Sequence, residues 1–359
     1  MVWVPGESFD LGLYEEIHDM VEASGYTILD HFLFRGTPIF YVELPDNPKR
    51  AFLTLMKMLR RYNFYPMLRK KGERYELKIL REAPTSGKRS SRLLLFGLFA
   101  ATIATIFIAG YLMCVDLINR HGFSIDPIYG SITYTLAMMA ILVTHEAGHM
   151  IASYIHSVKA TPPFFIPGPP PFGTFGAIIR QKSPIPNKDA LFDIGLSGPL
   201  FGFIASVIVT LIGVQSSIIK PVINPSQLRG VTPAPFIYSV ITFAVKKPPS
   251  DRIIIIPHPV AFAGWIGMVI TMLNLVPAGM LDGGHIARCF MRPNQQLIIS
   301  LVAAAVIALQ GYYLMALLAL LMALTHKHPG PLDDVSKLSL WRRISAVIPI
   351  AIFILCLPL

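Results

Sequence analysis

The chain has 359 residues, of which 53% are hydrophobic and only 14% are charged, and its mean hydropathy is +0.56. Soluble globular domains average about 25% charged residues, so this composition excludes an ordinary soluble protein and predicts a membrane protein. The net charge of +10 would suit a nucleic-acid partner. However, residues 1–48 hold nine acidic residues and one arginine, whereas residues 49–92 hold 14 basic and three acidic ones. Because this basic segment leads into the first apolar run, we assign the charge to the membrane surface and expect no nucleic acid.

Residues 1–92 are predicted to form a small soluble α+β domain and a linker. The segments 10–23 and 48–62 have apolar residues at helical spacing. Four short runs rich in aromatic and β-branched residues predict strands: YTILDHFLF, PIFYVEL, FYPML and RYELKIL. The order is therefore helix, strand, strand, helix, strand, strand, without a catalytic signature. A polar linker follows at 83–91, and the basic residues favour a cytoplasmic location.

Residues 93–359 are predicted to form a polytopic α-helical membrane domain. Runs long enough to cross about 30 Å of hydrocarbon predict six transmembrane helices: 93–118, 131–157, 191–214, 259–277, 296–325 and 343–358. Gln310 and Gly311 interrupt the fifth run, so it is either one tilted helix or a tight helical pair. Splitting it gives seven spans and agrees better with the positive-inside bias at the C-terminal end. The count of six or seven stays open at this point.

The second apolar run contains Glu146, the only glutamate after Leu93. An ionisable side chain at membrane depth is costly and predicts a function. It lies in the motif HEAGH, in which His145 and His149 are four residues apart and project from one face of a helix. They can therefore share a metal ion. Zinc held by two imidazoles needs a third protein ligand and an open position for water, whose proton Glu146 can accept.

The third ligand is expected from another span. Asp282, in the segment NLVPAGMLDGGH, is the best candidate because a broken helix lets a carboxylate reach sideways into a protein cavity. Four residues of this segment are expected to break the helix: Pro277, Gly279, Gly283 and Gly284. His285 is a competing ligand, since zinc accepts imidazole as readily as carboxylate. The alternative, which we favour, leaves His285 outside the ligand set.

His156 also follows the motif, seven residues after His149. That spacing corresponds to about 10 Å along a helix, which is too far for the same ion. We therefore expect His156 at the membrane interface near Lys159.

HEAGH followed more than a hundred residues later by NLVPAGMLDGG resembles the site-2 protease family of intramembrane zinc metalloproteases, peptidase family M50. The stretches FGTFGAIIRQKSPIPNKDALFDIGLSGP and HPVAFAGWIGM resemble the branch that includes the chloroplast EGY proteins and their archaeal and bacterial relatives. The resemblance covers roughly residues 131–340, with an active-site core at about 131–293. It leaves out the first 92 residues.

This resemblance implies that His145, His149 and Asp282 bind one Zn²⁺ ion and that Glu146 is the general base. It also implies that Asn274 binds the substrate or stabilises the oxyanion, although Asn274 could instead make an interhelical hydrogen bond. The implied partners are the lipid bilayer and a transmembrane protein substrate. The implied location is the plasma membrane of a prokaryote, which the protein would cross several times.

The segment Pro162 to Pro186 has too many prolines for a spanning helix. Its part FGTFGAII is either a short strand beside the active site or a proline-rich surface loop. A strand there could hold an unwound substrate by β-augmentation. The small residues of the run at 195–199 are expected to allow close helix packing.

Three classes of function fit these motifs. The first is a zinc endopeptidase that cleaves a transmembrane segment. A membrane metal-binding or metal-transport protein could use the same His-His-Asp cluster, but it would need further polar residues along a path, which are scarce here. A catalytically silent membrane scaffold is disfavoured because the ligands and the base are all present.

Overall fold

A computed structural model describes residues 10–81, 92–221, 233–247, 253–309, 311, 313–325 and 329–357. The predicted linker at 83–91 lies outside these residues. The chain divides into two compact units. The first comprises Met1–Arg89 with two later segments, Pro184–Leu191 and Pro329–Ser339, and the rest of the chain forms the second.

The first unit has the order of elements predicted from the sequence. Its helices and strands are α1 Leu11–Ala23, β1 Thr27–Phe34, β2 Thr37–Glu43, α2 Pro48–Leu59, β3 Phe64–Lys71 and β4 Arg74–Arg81. The four strands form an antiparallel sheet in the order β1-β2-β4-β3. Asn47 caps α2, and Pro48 occupies its first turn, where its missing N–H costs nothing.

The core of the first unit lies between the sheet and its two helices, α1 and α2. The buried residues of α2 recur at helical spacing: Ala51, Phe52, Leu55 and Leu59. They belong to one cluster with Phe40, Leu68 and Leu77 of the sheet. Leu332, from a segment far along the chain, is part of the same cluster. The first unit therefore includes a stretch that the sequence pattern had placed in the membrane domain.

The second unit contains three helices that are long and apolar enough to cross a membrane: α3 Arg92–His121, α4 Pro127–Ile155 and α5 Lys188–Gln215. They match the first three predicted spans. The first turn of α5, as far as Leu191, belongs to the first unit, and its remainder belongs to the second. Asp126 caps α4 by accepting a hydrogen bond from the Tyr129 N–H at 2.8 Å.

Shorter elements fill the connections around these helices. Between α4 and α5 lies a hairpin of β5 Phe164–Pro167 and β6 Thr174–Ile178. After α5 come β7 Ile218–Pro221, α6 Phe236–Lys246 and β8 Ile253–Ile256. The segment FGTFGAII therefore contains a strand, β6, which is one of the two alternatives predicted for it. The helix α6 was not predicted.

The remaining apolar runs form helices shorter than the predicted spans: α7 Pro259–Asn274, α9 Pro293–Leu309, α10 Tyr313–Thr325, α11 Leu340–Ser345 and α12 Val347–Leu355. A further helix, α8 Asp282–Phe290, lies between the fourth and fifth runs. The fifth run is a helical pair, since α9 and α10 flank Gly311 and pack against each other. Gly311 has a φ of 87°. Their shared cluster contains Ala304, Ile307, Ala316 and Ala319. The number of spans beyond the first three remains a prediction.

The helix breaks between α7 and α8, as the sequence predicted, and Pro277 and Gly279 lie in the break. The expectation that Gly283 and Gly284 also break the helix is wrong, because both lie in the first turn of α8. A Cβ atom at Gly283 would overlap the Leu275 carbonyl, and one at Gly284 would overlap the Gly279 carbonyl. These glycines instead allow α8 to start directly against the backbone of the break.

Candidate metal centre

The two histidines of HEAGH lie one turn apart on α4 and direct their Nε2 atoms to one point. These two atoms are 3.2 Å apart, and the ring centroids are 4.9 Å apart. His145 is only 7% exposed. The helix therefore presents two imidazole nitrogens together on a face turned away from solvent.

Asp282 reaches the same point from α8, of which it is the first residue. Its Oδ2 atom is 3.4 Å from His145 Nε2, and its Oδ1 atom is 3.3 Å from His149 Nε2. Among the residues that the structure describes, one group of His, Cys, Asp and Glu side chains has donor atoms close enough to share an ion, and it consists of these three. The break after α7 is what brings Asp282 opposite the histidines.

The spacing of the three donors fits a tetrahedral metal ion. Zinc bonds to nitrogen and carboxylate oxygen are about 2.0–2.2 Å long, so two ligands of a tetrahedral ion are about 3.3–3.6 Å apart. The two Nε2 atoms are 3.2 Å apart, and each has a different Asp282 oxygen near this range, Oδ1 at 3.3 Å from His149 and Oδ2 at 3.4 Å from His145. Two imidazoles and a carboxylate are also a donor set that zinc accepts at sites that keep one position open. The residues present therefore fit a zinc ion.

The helix α5 supports this group from the other side. His149 Nδ1 donates a hydrogen bond to the Ile194 carbonyl at 2.8 Å, which leaves the Nε2 lone pair free to face a metal. A Cβ atom at Gly198 would overlap His149 Nε2, and one at Gly202 would lie 2.7 Å from His145 Nδ1. The glycines of α5 thus allow its backbone to contact both rings, which agrees with the close packing expected at 195–199.

Glu146 and Asn274 lie beside the three donors. Glu146 is buried, with 6% of its surface exposed, and its titratable neighbours are His145, His149 and Asp282. Asn274, the last residue of α7, places its amide nitrogen 3.4 Å from His145 Nε2. All five residues selected from the sequence therefore meet at one place.

His285 lies outside the group of three donors. It is buried, and its Nδ1 atom is 3.2 Å from the Leu281 carbonyl one turn earlier in the chain. A Cβ atom at Gly195 would lie 2.9 Å from the His285 Cβ, so this ring packs against α5. The geometry favours the alternative in which His285 supports the packing and Asp282 faces the metal.

His156 caps the C-terminus of α4 and takes part in an ion-pair network that the sequence pattern did not reveal. Its Nε2 atom is 2.7 Å from Asp193 Oδ2. Arg342 holds the same carboxylate with two hydrogen bonds, from Nε at 2.7 Å and Nη2 at 2.6 Å. The bidentate pair joins α11 to α5, and the contact with His156 adds the C-terminus of α4. The sequence signal for this network was Asp193, a lone aspartate at the start of an apolar run.

Comparisons with known proteins agree with this geometry. The family model described as peptidase family M50 matches residues 133–318. A protein of Oryza sativa subsp. japonica named probable zinc metalloprotease EGY1, chloroplastic, is 30% identical over 61% of this chain and 39% of its own length. The Arabidopsis thaliana protein of the same name is 30% identical over 62% of this chain and 41% of its own length.

A third relative, the Arabidopsis thaliana probable zinc metalloprotease EGY2, chloroplastic, is 33% identical over 42% of this chain and 27% of its own length. The chain thus spans well under half the length of the curated relatives it matches. No solved structure matches it significantly.

Proposed function

The chain belongs to peptidase family M50, and from that premise we propose that it is an intramembrane zinc endopeptidase. It would hydrolyse a peptide bond in or near a transmembrane segment of a substrate protein. The observation that carries the proposal is the cluster of donor atoms from His145, His149 and Asp282, all within 4.8 Å of one another, beside the buried carboxyl of Glu146.

The proposed mechanism gives each residue one role. A bound zinc ion supplies Lewis acidity towards water and the scissile carbonyl. Glu146 accepts a proton from the attacking water and passes it to the leaving amine, so the proton count balances over the hydrolysis. The apolar surroundings keep bulk water from competing with these transfers.

Asn274 is the proposed donor to the oxyanion. Its amide nitrogen lies 3.4 Å from His145 Nε2, which places a hydrogen-bond donor next to the metal-facing atom of that ring. A donor in this position can stabilise the negative charge that develops on the scissile carbonyl oxygen. The interhelical hydrogen bond between α7 and α4 is the competing role for the same side chain.

The strand β6 is the proposed binding site for the unwound substrate. Within the described ranges, β6 pairs with β5 alone, so its second edge can accept another strand. The hairpin is fixed to α3 and α4, since Thr105 Oγ1 donates to the Gly173 carbonyl at 2.7 Å and the Tyr134 hydroxyl to the Pro171 carbonyl at 3.1 Å. Phe175 is 67% exposed and available for contact with a substrate side chain.

We place the protein in the plasma membrane of a prokaryote, with the domain of residues 10–81 in the cytoplasm. The basic residues that surround the first apolar run support this orientation. His149 is six residues, or about 9 Å, from the end of α4 at Ile155. Water would therefore reach the site from the cytoplasmic side.

The experiment that tests this function is cleavage of a membrane-protein substrate in liposomes by Glu146→Gln. Loss of the carboxyl removes the proton acceptor, so the rate falls by at least about a hundredfold while the zinc content stays at one ion. Asp116→Asn is the matched control, because this carboxylate is exposed on α3 and pairs with Arg120. Unchanged cleavage by Glu146→Gln would contradict the mechanism.

The same liposomes distinguish a peptidase from the alternative, a metal transporter. A metal transporter has no need for a general base, so Glu146→Gln would leave metal flux intact. Metal flux into liposomes by the unaltered protein, without cleavage, would favour transport. Loss of zinc from Glu146→Gln would instead make Glu146 a ligand.

A further inference from the structure

Asp193 of α5 is held by two other elements of the second unit. Arg342 of α11 donates to both oxygens of its carboxylate, from Nε to Oδ1 at 2.7 Å and from Nη2 to Oδ2 at 2.6 Å. His156, which follows the last residue of α4, places its Nε2 atom 2.7 Å from Oδ2. All three residues belong to the second unit. Because a bidentate pair fixes the orientation of both partners, α11 and the end of α4 set the position of α5 at this residue.

The two residues that follow Asp193 contact the metal centre. The Ile194 carbonyl accepts the hydrogen bond from His149 Nδ1 at 2.8 Å. A Cβ atom at Gly195 would lie 3.0 Å from the backbone carbonyl of Asp282, so α5 also packs closely against the third ligand. Three consecutive residues of one helical turn therefore connect the Asp193 ion pair to two of the three proposed zinc ligands.

Pro199 makes this part of α5 depend on contacts from outside the helix. It lies inside α5, and it has no N–H to donate to the Gly195 carbonyl four residues earlier. The turn at 193–195 is therefore joined to the rest of α5 by one hydrogen bond fewer than in a regular helix. Contacts with neighbouring elements then contribute more to its position, and the ion pair of Asp193 is such a contact.

We propose that Asp193 is a positioning residue for the metal centre and that Arg342 holds it in place. The pair sets the position of the Ile194 carbonyl, which keeps the proton of His149 on Nδ1 and directs the Nε2 lone pair towards the metal. Arg342 lies beyond residue 318, where the match to the family model ends. The helix α11 thus raises the zinc affinity of a site whose ligands come from α4 and α8. This inference rests on the metal centre of the proposed function.

The test measures zinc affinity by chelator competition in the full-length protein in lipid nanodiscs, in the Glu146→Gln background so that proteolysis plays no part. Asp193→Asn and Arg342→Met are each expected to raise the zinc dissociation constant about tenfold, the lower end of the effect of residues that orient metal ligands. Because both changes break the same pair, the double variant should also bind about tenfold more weakly, and not a hundredfold. Arg342→Lys keeps the charge but not the planar fork, so its dissociation constant should lie between those of the parent and Arg342→Met.

The visible absorption spectrum of the cobalt-substituted protein separates positioning from fold stability. Its bands depend on the geometry of the ligands around the ion. A residue that only stabilises the fold would lower the unfolding temperature and leave the spectrum per bound ion unchanged. At saturating cobalt only folded protein binds at this site, so the spectrum stays informative for a variant that folds poorly. We expect Asp193→Asn and Arg342→Met to shift the bands in the same direction.

Asp116→Asn is the matched control, because it removes another aspartate–arginine pair of the second unit, in which Arg120 Nε is 2.6 Å from Asp116 Oδ1. This pair is exposed on α3, so its loss should change the zinc dissociation constant by less than about twofold and leave the cobalt spectrum unchanged. Asp193→Asn and Arg342→Met proteins with the affinity and spectrum of their parent would overturn the proposal. A parent that binds no zinc would instead contradict the proposed peptidase, so the two failures are distinct.

Discussion

The two units of the molecule surround their carboxylates in different ways. In the first unit, Glu76 is 6% exposed and lies between two ammonium groups, with Lys78 Nζ at 3.1 Å and Lys71 Nζ at 3.2 Å. In the second unit, the carboxylate of Asp282 faces the Nε2 atoms of two histidines. Lysines carry the positive charge that neutralises a carboxylate, whereas neutral imidazoles carry a lone pair. The charge of Glu76 is therefore neutralised within the fold, whereas Asp282 faces neutral donors that can bind a metal cation together with it.

Asp282→Asn should have the largest effect on zinc binding. Loss of the charged oxygen ligand is expected to lower zinc affinity by more than about a hundredfold, beyond the effect of residues that only orient ligands. His285→Ala is the control, since its ring lies in the same segment but outside the donor group, and its zinc content should stay at one ion per chain. Metal analysis of both purified proteins shows which residue is the third ligand. Zinc loss from His285→Ala alone would overturn the assignment of Asp282.

Gly198→Ala should have the next largest effect. The added methyl group overlaps His149 Nε2, so the ring must turn away from the other two donors. We expect zinc affinity to fall about tenfold or more. Gly97→Ala is the matched control, because a Cβ atom at Gly97 on α3 meets nothing within 4 Å. Equal zinc affinities in a chelator competition would show that α5 does not shape the site.

Glu76→Gln should have the smallest effect and leave zinc binding unchanged. Burial alone raises the pKa of Glu76, but hydrogen bonds from Lys78 and Lys71 outweigh burial and hold the pKa below its ordinary 4.5. Such a carboxyl adds stability above its unfolded pKa, and this stability is lost as the pH falls through the lower folded value. We expect Gln to destabilise the first unit by about 1–2 kcal/mol at pH 7.

Hydrogen exchange of β4 peptides in the full-length protein measures this effect. The exchange of Glu76→Gln should exceed that of the parent at pH 7, and the difference should shrink below pH 4.5. Lys71→Met should differ from the parent less than Glu76→Gln does, since the Lys71 side chain is 68% exposed and Lys78 still holds Glu76. A difference that grows as the pH falls would contradict the direction of the pKa shift.

The sequence predicted those parts of the fold that depend on local pattern. Helical spacing and β-branched runs gave the order of the first unit, and hydropathy gave the bounds of α3, α4 and α5 to within a few residues. HEAGH also predicted the pairing of its histidines, because i and i+4 share a face of any helix. The predicted helix break favoured Asp282 as the third ligand but left His285 as a competitor, and the family resemblance implied Asp282.

What the sequence did not predict depends on contacts between distant backbone segments. The Ile194 carbonyl accepts the hydrogen bond of His149 Nδ1. Every residue type has a backbone carbonyl, so the sequence does not indicate this contact. Residues 332–334 extend the first sheet, yet three residues are too few for a strand pattern. Local propensity predicts that Gly283 breaks the helix, because it cannot show that a neighbouring carbonyl excludes a side chain there.

The measurement that tests the central claim most directly is zinc K-edge X-ray absorption on the purified full-length protein. The geometry of His145, His149 and Asp282 predicts one zinc ion with two imidazole nitrogens and a carboxylate oxygen at about 2.0–2.2 Å, and an oxygen from water as the fourth ligand. A sulfur ligand, or a third imidazole in place of the carboxylate, would contradict it.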